Sequence, residues 1–249
     1  MIRASSQGLS FDSAAVSYAA HRPSYPSALL DAVEELAGLS LAGARVADVG
    51  AGTGLGTRGL VERGARVVGV EPGEGMAAQF RAGLPGVPLV RGDGNALPLV
   101  SSSLDVVTYA QSWHWTDPRR SVSEAWRVLR AGGALAVWWN DSDGSVPWVA
   151  AQDVRLRRLF GGGEGAYDPA ARFRRLPDEL PFVRRQVRWS REVSLDAHLA
   201  NLATYSDFLV LGREGTDRFL AKEREILAGV FPEGAVQEDY VVSLAVAVR

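Results

Sequence analysis

The sequence predicts an α/β fold built on an open, mostly parallel sheet with helices on both faces. Three observations carry this expectation. The segment Arg45-Val-Ala-Asp-Val49 runs into glycines at every second position, Gly50, Gly52, Gly54 and Gly56. A second apolar segment, residues 66–71, ends in an acid, Glu71. Strand-like and helix-like patterns then alternate to residue 140, as consecutive strand–helix–strand units require. The glycines matter because a strand must turn sharply into a helix there, and a missing Cβ lets a ligand press against bare backbone.

In chain order, residues 8–25 contain Phe11, Tyr18, His21, Arg22 and Tyr25 and close on Arg22-Pro-Ser-Tyr-Pro26. Pro23 and Pro26 oppose a continuous helix, so a short helix and an extended crossing are expected. Both an arm tied down by its aromatics and a lid over a ligand suit that segment. Residues 27–37 put Leu29, Leu30, Val33 and Leu36 on one helical face, and Gly38 ends the helix. Strand 45–49 enters the glycine turn, followed by helix 56–63, strand 66–71, helix 74–82 and strand 87–91. A turn, Gly92-Asp-Gly-Asn-Ala-Leu-Pro98, precedes strand 104–110, which has a buried pattern and opens onto Gln111-Ser-Trp-His-Trp-Thr-Asp-Pro118. Helix 118–130 leads through Gly132 and Gly133 to strand 134–140. From 141 the alternation is interrupted by a helix at 147–160, a glycine-rich loop at 161–165 and an arginine-rich segment at 172–191. Strand 183–193, helices 195–210 and 216–229, and a last strand 238–248 complete the chain.

Composition bounds the function. The 249 residues are 47% hydrophobic and 22% charged with net charge −2, ordinary values for a globular protein that buries one sizeable core. One domain is expected, and nothing calls for nucleic acid. With no cysteine and only His21, His114 and His198, widely spaced, neither a disulfide framework nor a metal site is expected. No stretch of about 18 apolar residues is present and the N-terminus lacks a signal-like run, so no membrane association and a cytoplasmic location are expected.

The glycine spacing narrows the ligand. A dinucleotide fingerprint starting at Gly50 or Gly52 needs glycine where Leu55 or Thr57 stands, and the triple Gly54, Gly56, Gly59 falls inside the following helix. Asp48, two residues before Gly50, repels a pyrophosphate but can pair with an ammonium group. On these residues the sequence resembles the class I S-adenosylmethionine-dependent methyltransferases, whose cofactor carries an amino acid end and no phosphate. The resemblance grows more specific at Ala110-Gln-x-x-His-Trp115, a pattern similar to that of trans-aconitate and ubiquinone/menaquinone-type methyltransferases. It covers residues 10–140 by motif and the remainder by layout.

The resemblance implies a seven-stranded, mostly parallel Rossmann-like sheet of order 3-2-1-4-5-7-6. Its parts would be an N-terminal lid and helix (1–40), a cofactor core (41–140), a helical substrate cap with an edge strand (141–237) and the last strand (238–249). It further implies S-adenosylmethionine as cofactor. Asp48, Gly50, Ala51, Gly52 and Gly54 would cradle its amino acid end and Glu71, with Pro72 and Met76 beside it, the ribose. Asp93 and Gly94 would hold the adenine, with Asn95 standing where the family often has Glu. Gln111 would lie near the methionine part, under Tyr18 and Arg22 of the lid. The implied reaction is methylation of oxygen, nitrogen or carbon on a small molecule by a monomer or homodimer. A nicotinamide-dependent oxidoreductase, a non-catalytic binder and a cyclase on the same fold are the alternatives.

Methyl transfer needs alignment and exclusion of water more than protein chemistry. His114, at a strand end, is the candidate base, and the alternative is a hydrogen bond that shapes the pocket. Six of the seven tryptophans fall between 113 and 148. Strand alternation points Trp138 and Trp139 to opposite faces. Trp113, Trp115, Trp139 and Trp148, with Tyr205 from the cap, are the candidate substrate contacts. The arginines between 155 and 191 are expected to be a solvated face, with an acidic substrate as the alternative.

Overall fold

The computed structural model describes residues 15–161, 168 and 170–249. Phe11 and residues 162–165 of the expected glycine-rich loop lie outside the described residues. Seven strands form one sheet: β1 (Arg45–Val49), β2 (Arg66–Glu71), β3 (Leu89–Arg91), β4 (Leu104–Ala110), β5 (Leu129–Ser142), β6 (Val183–Ser194) and β7 (Ala235–Val248). Their order is β3-β2-β1-β4-β5-β7-β6, as the family resemblance implied. The first five run parallel, and β7 is antiparallel to both β5 and β6.

The central strands read as almost unbroken apolar runs because helices cover both of their faces. Strand alternation then sorts the side chains. Val46, Val106, Ala136 and Trp138 pack on one face with α2 (Ser27–Ala37) and Leu60 of α3 (Leu55–Glu62). Ala47, Val107, Val137 and Trp139 pack on the other with Ala125 and Val128 of α5 (Pro118–Val128). Short α1 (Ala15–His21) precedes α2, and α4 (Glu74–Gly83) joins β2 to β3. Gly38 ends α2 in the left-handed conformation, φ 64°, and its N–H donates to Glu34 and Glu35 carbonyls. The Asp117 carboxylate caps α5 by accepting from the Arg119 and Arg120 amides, with Pro118 in the first helical position.

Several boundaries differ from the sequence expectation; the last helix and last strand, for instance, each begin three residues earlier, at Arg213 and Ala235. β5 starts at Leu129 instead of 134, because Leu129 already pairs with Leu104 before the register shifts to Val106 and Ala134. Gly132, at φ 74°, carries the chain through that irregularity. β3 begins at Leu89 and spans three residues. The helix expected over 195–210 is two, α7 (Leu195–Ala203) and α8 (Ser206–Leu211). Tyr205 between them is extended at ψ 142°, and the Thr204 hydroxyl donates to the Asn201 carbonyl at 2.6 Å, which closes the first helix.

The cap consists of α6 (Pro147–Leu159), α7, α8 and α9 (Arg213–Val230), and a buried polar chain fastens it to the sheet. Arg155 of α6 pairs with Glu223 of α9. The Gln152 amide donates to Glu223 at 3.0 Å and meets His198 Nε2 at 2.9 Å. His198 Nδ1 meets the Glu238 carboxylate on β7 at 2.7 Å. Carboxylate on one side and amide N–H on the other select the tautomer with its proton on Nδ1. Burial pushes Glu238 up, but bonds from His198 and Tyr240 and the Arg191 guanidinium outweigh it and hold the carboxyl at about 2. Its contribution is therefore fully present above the unfolded value near about 4.3 and is lost as pH falls toward about 2. Glu238→Gln will destabilise the fold by about 3 kcal/mol at pH 7 in urea unfolding, because it leaves buried partners unpaired. That penalty will shrink as the pH is lowered through this window.

Candidate active site

A cavity of about 990 Å³ opens at the carboxyl ends of β1, β2, β4 and β5, beneath the cap and beside α1. This is the crevice where open α/β sheets bind ligands, at the reversal of strand order. Gly50, Gly52 and Gly54 turn the chain after β1 with φ of 67°, 57° and 91°. The turn is tied to β2: the Gly52 amide donates to Glu71 Oε2 at 2.8 Å, and the Gly73 amide donates to Oε1 at 2.7 Å. Glu71 thereby fixes both the glycine turn and the start of α4 while one edge of it still lines the cavity.

The three glycines do different work. A Cβ at Gly50 would stand 2.4 Å from Ser112 Cβ, and one at Gly54 would stand 2.6 Å from Leu84, both inside protein packing. A Cβ at Gly52 would meet no protein atom nearer than the Gly50 carbonyl at 4.0 Å, although Gly52 lines the cavity. Its bare backbone faces ligand space.

Beyond β2 the cavity wall continues through Pro72 and Met76 to Asp93, Gly94 and Asn95. Asp93 Oδ1 accepts from the Asn95 amide at 2.6 Å, and Tyr109 donates its hydroxyl to the Gly94 carbonyl at 3.3 Å. Asn95 Oδ1 accepts from the Asp117 amide at 2.7 Å, so the asparagine ties this loop to the start of α5. Gln111 holds the rare non-glycine φ of 57°, stabilised by its amide donating to Trp138 O at 2.9 Å and its side chain donating to Asn140 O at 2.7 Å. On the opposite wall Arg22 lies over the rings of Tyr18, 4.9 Å, and Tyr205, 4.5 Å, and donates to the Thr204 carbonyl at 3.2 Å. Arm and cap therefore meet across the mouth.

Several expected contacts lie elsewhere. Asp48 is fully buried behind the turn, where its carboxylate accepts from Thr57 at 2.6 Å and Thr108 at 3.0 Å. Burial raises its pKa, and those two hydroxyls pull it back. It braces the β1–α3 junction and does not line the cavity. Ala51 packs on Phe80 and Leu84, and Gly54 faces α4. Three tryptophans are corrected from substrate contacts to packing. Trp139 is fully buried, and Trp113, 1% exposed, donates its indole N–H to the Arg175 carbonyl at 3.1 Å. Trp148 packs edge-on against His198 and Phe231 inside the cap. Large rings near a sheet are drawn to its core, which offers them more contact than a pocket wall does.

Trp115, Tyr205 and His114 do line the cavity. His114 sits in a one-turn 3-10 segment after β4, and burial, then the charges of Arg172 and Arg175, push its pKa down to about 4. Arg172 forms a two-pronged pair with Asp141 at 2.6 and 2.9 Å. Much of the arginine tract resolves into individual pairs, such as Arg155–Glu223, Arg157–Asp153, Arg174–Asp168 and Arg191–Glu238, while Arg158, Arg175 and Arg184 are exposed. Sequence reasoning missed Asn140 and Ser112 on the wall, and weighed Arg172 only as one of a basic tract. Asn140 was legible in principle as the first polar residue at the tip of a buried strand.

A methyltransferase-domain family profile matches residues 47–137, which hold the glycine turn, Glu71, Asp93 and His114. An uncharacterized methyltransferase of Mycobacterium tuberculosis is 38% identical over 221 residues, 88% of this chain and 86% of the relative. The chain belongs to the class I S-adenosylmethionine-dependent methyltransferases. A solved structure from Anaeromyxobacter dehalogenans, assigned as a type II methyltransferase, superimposes on this methyltransferase with TM-score 0.69 and 26% identity, covering 91% of this chain and 97% of that one. A rice 2-methyl-6-phytyl-1,4-hydroquinone methyltransferase is 38% identical over 98 residues, 37% of this chain and 28% of the relative. That match is confined to a minority of both chains.

A Cβ added at Gly52 enters open space and one added at Gly50 meets Ser112, so substitutions at the two positions separate loss of ligand space from loss of folding. Gly52→Ala will cost about 1 kcal/mol of stability, the strain of a left-handed alanine, yet weaken binding of S-adenosylhomocysteine at least about tenfold in calorimetry. Gly50→Ala will cost at least about 2 kcal/mol in urea unfolding, since the new Cβ collides with Ser112 as well.

Proposed function

We propose that this methyltransferase transfers a methyl group to oxygen, nitrogen or carbon of a small molecule held under the cap. The observation that carries the site assignment is the cradle at Gly52. An open, side-chain-free amide is locked to the acid at the tip of the next strand, a fit for a nucleoside whose amino acid end lies on the turn and whose ribose hydroxyls reach Glu71. In this reading Gly50 and Gly52 bear the amino acid end, and Asp93 and Gly94 take the adenine edge. Pro72 and Met76 bound the ribose, and Asn95 shapes the adenine loop. Gln111 lies beside the methionine part, and Tyr18 and Arg22 close over it; the buried Arg22 Nε, without a partner among the described residues, serves the carboxylate.

When bound, the cofactor supplies an electrophilic methyl on sulfur. The protein's part is to hold the acceptor in line and keep water out, which the arm and the cap do by meeting at Arg22. His114 is neutral at pH 7 and a weak base, because its pKa lies far below the operating pH. Its role is therefore to place a hydrogen bond, with Trp115 tilted against it at 4.5 Å.

S-adenosylhomocysteine will bind at one site per chain in isothermal titration, and NADH will not. Absence of any heat with S-adenosylhomocysteine rejects the site. Glu71→Gln will weaken that binding at least about tenfold, since it removes the charge that ribose hydroxyls and two backbone amides share. Where transfer is measured, His114→Ala will lower kcat by less than about tenfold, against the loss of about a hundredfold or more expected for a base. The depressed His114 pKa keeps the ring neutral as pH falls from about 8 to about 5, so no acidic limb near 6.5 will show in the rate profile. A limb at 6.5 that disappears in His114→Ala would reverse this assignment.

A further inference from the structure

The tip of β5 carries an unpaired donor that the cofactor reading does not use. Asn140 is 9% exposed and lines the cavity, and its Oδ1 accepts from the indole N–H of Trp189 on β6 at 3.0 Å. An indole nitrogen only donates, so chemistry alone fixes the carbonyl toward Trp189 and turns the amide NH₂ away from it. The brace is stiff, because Trp189 stacks on Tyr240 at 4.9 Å and 21°, and Tyr240 donates to the buried Glu238. Among the described residues the buried Asn140 Nδ2 has no partner. Buried amides are almost always paired, so an NH₂ held in fixed orientation at a cavity wall points to an acceptor atom on a ligand.

Strand order says which ligand. The cradle for the cofactor spans β1, β2 and the loop after β3, whereas Asn140 lies beyond β4 and pairs in register with Val242 of β7, toward the cap. That end has an apolar wall from Val149, Leu156 and Phe160. Its ionic groups are matched to one another: Arg172 with Asp141, Arg157 with Asp153 and Arg174 with Asp168. Arg175 and Asp207 are exposed at the rim. A charged guest would have to surrender its hydration without a buried counter-charge to replace it. We infer that the methyl acceptor is an uncharged molecule with an apolar body and an acceptor oxygen, and that the Asn140 side-chain amide holds that oxygen. This rests on the cofactor site proposed above.

The test uses the intact chain saturated with S-adenosylhomocysteine and three matched probes, 4-propylphenol, the anion 3-(4-hydroxyphenyl)propanoate and the cation tyramine, followed by calorimetry at pH 7. 4-Propylphenol will bind at least about tenfold more tightly than either ion. Asn140→Asp keeps the acceptor for Trp189 and removes the donor; Asn140→Leu removes both without adding charge. Both will weaken 4-propylphenol about tenfold and leave S-adenosylhomocysteine affinity within about threefold of the parent, which also shows that they fold. A smaller preference over the ions, no binding of 4-propylphenol, or an unchanged affinity in the variants overturns the inference. A fall in S-adenosylhomocysteine affinity in both variants overturns it too, by assigning the amide to the cofactor. Failure of the parent protein to bind S-adenosylhomocysteine would sink the cofactor site instead.

Discussion

The site depends on one carboxylate. Glu71 ends β2 and accepts from the amides of Gly52 and Gly73, so two loops that would otherwise move independently share a single anchor. The side chain also reaches the cavity, so the group that builds the turn forms part of the cavity wall. Asp48 does the complementary work behind the turn, holding Thr57 of α3 and Thr108 of β4 against β1. One acid lines the cavity and one faces the core, and the glycine backbone between them is positioned from both sides.

This division explains which parts of the site were legible in sequence. Periodicity and glycine spacing report backbone, so the strand order, β1, β4 and the turn at Gly50–Gly54 could be expected from the residues and the resemblance they carry. They do not report which way a side chain points once helices close over it. Asp48 therefore looked like a ligand contact and is a brace. Trp113, Trp139 and Trp148 looked like a pocket and are packing. The same blindness hid Asn140, whose meaning comes from Trp189 on a strand far away in sequence. The break at Thr204–Tyr205 was hidden too, since a threonine hydroxyl closing a helix is set by local geometry that apolar spacing does not record.

The arginines show how tertiary pairing changes the sense of a composition. Read along the chain, residues 155–191 look like a basic face. In the fold, Arg155, Arg157, Arg172, Arg174, Arg185, Arg188 and Arg191 each meet a carboxylate, several of them from distant elements. The guanidinium fork suits such pairs because it can satisfy two carboxylate oxygens at once, as Arg172 does with Asp141. Each pair ties its own segments: Arg155–Glu223 joins two cap helices, Arg172–Asp141 holds the segment before β6 to the tip of β5, and Arg191–Glu238 joins β6 to β7, while the exposed members add little stability.

Registration of the cap matters because the two halves of the cavity are built by different parts of the chain. The cradle comes from β1 to β3, while the far wall comes from α6, α8, the tip of β5 and the middle of β7. Arg22 joins them: its guanidinium sits between Tyr18 of the arm and Tyr205 of the cap and reaches the carbonyl of Thr204 at the helix break. The stack on Tyr18 is local to the arm, whereas the contacts with Tyr205 and Thr204 join the arm to the cap. The in-line geometry of methyl transfer tolerates little displacement, so a residue that contacts both covers bears on the shape of the cavity between them.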